Sequence, residues 1–398
     1  MPCRAEIAES EGTMDSSGLL NTLMVLARSI TSTALLILIG GTVFLAVIRW
    51  PNNDQTRHGR WLEFRAHHYL WGAWAAALVG TVVGVMLRGP AEDGLGFDAV
   101  FHLDTINATL GSRFGIAAEL RVLFLLLVAP LLWAGWPWPG GGRRTAGHRR
   151  PGWLIAAALM LTPPLGGHAG GGSAPVYGVF VGWLHFSSAA VWLGGLILLL
   201  ACVLPRSRVK LKDYVPQFSA IATTSIIIAT ITGSLQSWRQ LGSLGTLFTT
   251  TYGLFLLAKL AAFGLLMLVA AGSHYLTKQA ATDPDGLPQP LRRSGPGAAL
   301  ATSLQQEAAR AAILRRFVIA EAVVAALVIL ATELMANTIP SYVEVQQEQG
   351  VVREAPAPAE PFPVSDPPQD ATKSSGTFDG ELRVGDAAEV VTGDDPAP

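Results

Sequence analysis

The stretch GGHAGGGSAPVYGVFVGWLHFSSAAVWLGGLILLLA, residues 166–201, decides the fold. A glycine-rich loop carrying His168 leads into an apolar run from 176 to 203. At about 1.5 Å per residue, that run is long enough to cross a bilayer as a helix. His185 sits inside it, roughly 14 Å from one end. A polar side chain in hydrocarbon costs about 3 kcal/mol when charged, so it marks a functional candidate. Ser188 and Trp192 follow at spacings of three and seven, which places all three on one helix face. Gly194 and Gly195 come next and allow a neighbouring helix to approach closely.

The whole chain carries the same signature. Half of its 398 residues are hydrophobic and only 14% are charged, against about 25% charged in soluble domains. The expected fold is all-α, a polytopic membrane helix bundle. A net charge of −1 gives nucleic-acid binding no electrostatic support. Cys3 and Cys202 form no CxxC or cysteine-rich site. No nucleophile–base arrangement or phosphate loop is visible, so no enzymatic activity is expected.

Apolar run length predicts eight transmembrane helices, over 29–49, 68–87, 114–135, 152–166, 176–203, 217–237, 252–275 and 316–337. The fourth is short and ends at Pro163 and Pro164. Residues 1–24 read as a short tail, 25–340 as the membrane domain, and 341–398 as a disordered, acidic, Pro-rich tail. Residues 376–391 alternate enough to suggest a strand or two. Most of the 28 basic residues fall in alternate loops, with Arg57, Arg60, Arg143, Arg144, Arg206, Arg208, Arg292 and Arg293 among them. The positive-inside rule then puts those loops in the cytoplasm and both termini outside.

Depth sorts the polar residues. His168, His185 and His102 can face the outside, whereas His58, His67, His68, His148 and His274 lie toward the inner ends. Glu119, Arg121, Lys259 and Glu333 fall in the outer half of their spans, and buried membrane charges pair with one another. A neutralising set of Arg121 or Lys259 with Glu119 or Glu333 is expected, serving either helix register or transport. Glu321 lies on the cytoplasmic side as a relay or an interfacial acid. Imidazole suits Zn, Cu, Fe and Ni, and thioether sulfur favours Cu(I). Met160 and Met335 can approach the outer region, as ligands or as core residues. His185 alternatively hydrogen-bonds to a neighbouring helix.

A resemblance enters through GHA at 167–169, WLHFSSAAVWLGGL at 183–196, FSAIA at 218–222, ITG at 231–233, TTYGLFLLAKL at 250–260 and RRFVIAEAVVAALVILATELMANTIP at 315–340. With GSRFGIAAELRVLFLLL at 111–127, these resemble the copper resistance protein D (CopD) family of bacterial inner-membrane proteins. The resemblance covers about 25–340, with its core at about 176–340. It implies copper transport across the cytoplasmic membrane, in the direction of uptake, contributing to copper homeostasis or resistance. The cargo is expected to be Cu(I), and a separate periplasmic CopC-like protein is the expected donor. The family's histidines fall on His168 and His185, and Lys259 and Glu321 match its polar membrane positions. Two other readings stay open. One is a haem-bearing electron-transfer protein with His68 and His274 as axial ligands. The other is a non-transporting accessory protein that supplies copper to a periplasmic cuproenzyme.

Overall fold

The computed structural model describes residues 3–47, 57–136, 142–171, 174–203, 211–282, 296–336, 338 and 340–348. Among them there is no strand. The main helices are α1 (Cys3–Val47), α2 (Arg57–Glu92), α4 (Arg113–Trp133), α5 (Gly142–Gly166), α8 (Leu211–Leu241), α10 (Thr251–Thr282) and α11 (Pro296–Met335). A short α3 (Leu103–Gly111) bridges α2 and α4. Between α5 and α8 one continuous apolar rod is built in four pieces. They are α6 (Pro175–Ala189), a π-helical turn at Ala190–Gly194, α7 (Gly195–Leu198) and a second π-helical turn at Leu199–Val203. Two small helices complete the chain, α9 (Thr246–Thr249) and α12 (Ser341–Glu348).

Seven helices among the described residues are long and apolar enough to cross a membrane: Gly18–Val47, Phe64–Glu92, Arg113–Trp133, Pro175–Cys202, Gln217–Leu241, Thr251–Gly272 and Arg315–Met335. The remaining expected span, 152–166, is the second half of α5. It is helical but too short in its apolar part to count with the others, because Arg149 and Arg150 stand just before it. The all-helical architecture follows from the solvent: in lipid every backbone N–H and C=O must be satisfied within its own segment.

The core runs down the centre of the bundle. Leu35, Leu38 and Leu45 of α1, Leu70 and Ala77 of α2, Leu125 and Leu132 of α4, Leu159 of α5 and Leu198 of α7 are all buried together. Indole N–H groups tie helices across it. Trp74 donates to the Leu125 carbonyl at 2.7 Å, and Trp183 to the Ala157 carbonyl at 2.9 Å. Each bond satisfies a donor that would otherwise sit unpaired in an apolar layer.

The closest approach is between α1 and the first π-helical turn. A Cβ built on Gly40 would lie 2.8 Å from the Gly194 Cα, and one built on Gly194 would lie 2.9 Å from the Gly40 Cα. The two helices touch backbone to backbone there, as small residues permit in membranes. Gly195 lies against the ring of Phe218.

Two boundaries differ from expectation. Helix α1 extends well before residue 25, and Leu20 and Met24 are buried against Leu87, Ala91 and Val100. Their apolar side chains find a partner surface, which a polar-tail reading of 1–24 overlooks. At the other end Ser341–Glu348, expected to open the disordered tail, forms α12. It is anchored by the 2.7 Å hydrogen bond between the buried hydroxyls of Ser341 and Thr250. Residues 349–398, including the strand expected at 376–391, lie outside the described residues.

Candidate functional site

A cavity of about 240 Å³ opens within the bundle. Its wall is drawn largely from the N-terminal halves of the apolar spans Gly18–Val47, Arg113–Trp133, Pro175–Cys202 and Thr251–Gly272 and from the C-terminal halves of Phe64–Glu92, Gln217–Leu241 and Arg315–Met335, together with the end of α5. Alternation of helix direction brings those ends to one side of the bundle. It is the side whose connecting loops are poor in Lys and Arg.

His185 lines this cavity. Its Nδ1 is 2.9 Å from the Ala229 carbonyl oxygen and 3.3 Å from the Thr232 hydroxyl, both on α8. A carbonyl can only accept, so Nδ1 carries the hydrogen and donates it. The lone pair therefore resides on Nε2. This is the arrangement that second-shell carbonyls impose on metal-binding imidazoles. Of the alternatives considered from sequence, the helix-to-helix hydrogen bond is present, made through Nδ1. Gly233 lies beneath the ring, where a built Cβ would sit 3.0 Å from the His185 Cε1.

Four charged groups share the same wall: Arg28, Arg121, Lys259 and Glu333. Glu333 accepts on both oxygens, from the Ser32 hydroxyl at 2.6 Å and from the Arg28 guanidinium at 3.1 Å. Arg28 and Ser32 are one helical turn apart on α1, so a single carboxylate can bridge them. Arg121 is 8% exposed, and its Nε donates to the Thr162 hydroxyl at 3.0 Å. Lys259 lines the same cavity as His185 and Glu333. Arg28 was not anticipated from sequence. Its proximity to the Ser29 boundary drawn for the first span concealed it, although the Arg28–Ser32 spacing is a readable signal.

Removing the carboxylate should be worse than removing its partner. Glu333→Gln leaves three cations facing one another, and breaking a buried pair costs about 3 kcal/mol or more. The thermal midpoint of the detergent-solubilised protein should fall clearly for Glu333→Gln. It should fall less for Arg28→Gln, and the double variant should recover part of the Glu333→Gln loss. Equal losses in all three would show that the pair carries no such charge balance.

The lining also includes Met335, which packs with Leu241, Tyr252 and Leu256. A polar chain runs along its rim. The Tyr252 hydroxyl donates to the Gln240 side-chain oxygen, Gln240 donates to Gln236 at 3.4 Å, and Gln236 donates to the Gly178 carbonyl at 3.1 Å. Gln236 and Gln240 also escaped sequence reading, because neither is titratable. Gly166, Gly167 and Ala169 bring the histidine-bearing loop into the wall. Arg239 clasps that loop, donating to the Ala169 carbonyl at 2.9 Å and to the Gly171 carbonyl. The backbone of His168 opens the short turn His168–Gly170, while its side chain lies outside the described residues.

Other candidates lie elsewhere. Met160 is 1% exposed within the central core and does not line the cavity. Glu119 is exposed, since two residues from Arg121 is nearly the opposite side of the helix, and it takes no part in the charge set. Glu321 is buried on α11, twelve residues and about 18 Å before Glu333. Trp192 is buried edge-on against Phe263, 6.4 Å between ring centroids, and is not in the cavity wall. The single face expected for His185, Ser188 and Trp192 is therefore interrupted. Ser188 turns its hydroxyl back to the Leu184 and His185 carbonyls, and the π-helical turn then changes the helical phase. Of the pair weighed for haem, His68 bonds through Nδ1 to the Phe64 carbonyl of its own helix at 2.7 Å, and the side chain of His274 lies outside the described residues. Among the described residues no group of three or more His, Cys, Asp or Glu side chains is arranged to hold a metal.

Comparison with known proteins gives two family matches in chain order. The family described as copper resistance protein D-like, N-terminal domain, matches residues 19–179, and copper resistance protein D matches residues 212–335. The chain is also 28% identical over 258 residues to "Copper transport protein CutJ" of Bacillus subtilis (strain 168). That alignment covers 63% of this chain and 45% of the relative, so the chain spans less than half of the relative's length. No solved structure matches. The two matches divide between them the helices that build the cavity, His185 standing in the rod that joins the matched segments, and the chain belongs to the copper resistance protein D family.

Proposed function

We propose that the protein carries copper across the bacterial cytoplasmic membrane, inward, from a cavity that opens on the extracytoplasmic side. The observation that carries this reading is His185, whose Nδ1 is bonded to α8 so that its lone pair lies on Nε2, lining a cavity that Met335 and Glu333 also line. An imidazole and a thioether suit Cu(I), which accepts few, soft ligands. In this reading His168 stands at the lip, His185 partway down, and both termini lie outside. A separate periplasmic CopC-like protein is the donor. Lys259 and Glu333 lie beside the path, and Glu321 is the next acid toward the cytoplasm.

The relative's name supports copper as the cargo, and the scarcity of Lys and Arg in the loops that connect the helices at the cavity end supports the orientation. Transport is tested by reconstituting the purified protein into vesicles loaded with a Cu(I)-responsive dye. Dye response well above that of protein-free vesicles, and reduced by His185→Ala, is the expected result. A rate equal to that of protein-free vesicles, with the protein folded and inserted, would overturn the transport reading in favour of an accessory role.

A further inference from the structure

The cavity wall is electrostatically wrong for a bare cation. Among the described residues that line it, the guanidiniums of Arg28 and Arg121 and the ammonium of Lys259 stand against one carboxylate, Glu333. Arginine stays charged in proteins, so the positive excess survives even if the lysine is neutral. Glu333 is already engaged by Arg28 and Ser32. Arg121 spends only its Nε, on Thr162, and its side chain is more than nine-tenths buried while lining the cavity. Among the described residues no hydrogen bond or ion pair closes on the Lys259 ammonium.

The adjoining cavity has the same sign. A neighbouring cavity of about 360 Å³ shares Arg28, Phe114, Gly166, Gly167 and Ala336 with the first. It adds Arg88 and Arg113 against a single acid, Glu92. A cleft lined by one sign of charge with apolar walls concentrates ions of the opposite sign.

We propose that Arg121 and Lys259 form a site for a small monovalent anion, and that copper occupies the cavity as a complex with that anion rather than as a bare ion. This rests on the copper reading above. Chloride and a carboxylate share the required chemistry: each ligates Cu(I) and each accepts from a guanidinium. At about 240 Å³ the cavity has room for a small complex. His185 Nε2 then binds the metal while Arg121 and Lys259 hold the negative charge that came with it, and no electron changes hands.

The test titrates sodium chloride and sodium acetate separately into the purified full-length protein, in a buffer whose only other anion is a bulky sulfonate. Calorimetry should give a saturable signal for at least one of the two, and which one identifies the source. Arg121→Gln and Lys259→Gln should each weaken it at least tenfold, while Arg121→Lys retains most of it. Cu(I) affinity, read by competition with a chromophoric chelator, should rise at least tenfold in wild type when the preferred anion replaces sulfonate. That gain should vanish in both glutamine variants. His185→Ala should lose copper and keep the anion titration. A wild-type protein with no saturable anion signal, or with copper affinity indifferent to the anion, overturns the proposal and leaves copper binding by His185 standing. A saturable, Arg121-dependent anion signal in a protein that holds no copper keeps the anion site and sinks the copper reading instead.

Discussion

Replacing His185 with alanine is expected to weaken Cu(I) binding by about 100-fold or more. Losing an outer-shell partner of a metal-bound histidine alone costs about 10- to 100-fold. Loss of the ligand itself stands at or beyond the top of that range. The neighbours sharpen the test. Thr232→Val removes a hydroxyl 3.3 Å from Nδ1 but keeps the Ala229 carbonyl, so its effect should be smaller, within about tenfold. Met335→Leu should weaken binding, because the thioether is in the same wall. Met160→Leu should leave it unchanged, because Met160 is enclosed by the core. Chelator competition on folded, detergent-solubilised protein measures all four. Unchanged affinity in His185→Ala would remove the imidazole from the copper path.

The second large effect falls on folding. Gly194→Val should abolish accumulation of folded protein in the membrane, and Gly40→Val should do the same. A Cβ at either position meets backbone of the facing helix, which no rotamer change can move aside. Overpacking in ordinary cores costs about 1–3 kcal/mol, where side chains can still shift. Here the two helices would have to separate along the seam that holds α1 to the middle of the bundle. Gly72→Ala and Gly264→Ala are the controls, since a Cβ at either meets nothing within 4 Å. Membrane-inserted yield and thermal midpoint, compared across the four variants, check the prediction. Near-normal yield of folded Gly194→Val would mean that the seam is loose.

Much of this could be read from residue order because lipid imposes simple rules. Apolar run length located the helices, and the depth of His185, Lys259 and Glu333 along their spans placed them at one end of the bundle. What escaped reading depended on rotation and on partners. Glu119 and Arg121 lie at similar depth, but two residues of helical rotation put one outside and the other in the cavity wall. Met160 and Met335 are equally plausible as soft ligands in a string of letters, and only the packing of α5 sends the first into the core. The π-helical turn Ala190–Gly194, which carries Trp192, lies at the close contact with α1. That contact joins residues more than 150 positions apart, beyond any local pattern. Arg28 was missed for a plainer reason: the helix that carries it begins earlier than its most apolar stretch.

The clasp of Arg239 on two carbonyls of the 168–171 loop has a mechanical consequence. One guanidinium at the end of α8 latches the strap that carries His168. The same helix supplies the Ala229 carbonyl that orients His185. If α8 tilts, the strap and the ring below must travel with it or two charge-assisted bonds must part. The loop backbone and the His185 ring are thus both tied to one helix, and a change that slackens Arg239 releases the loop without touching the hydrogen bond at His185.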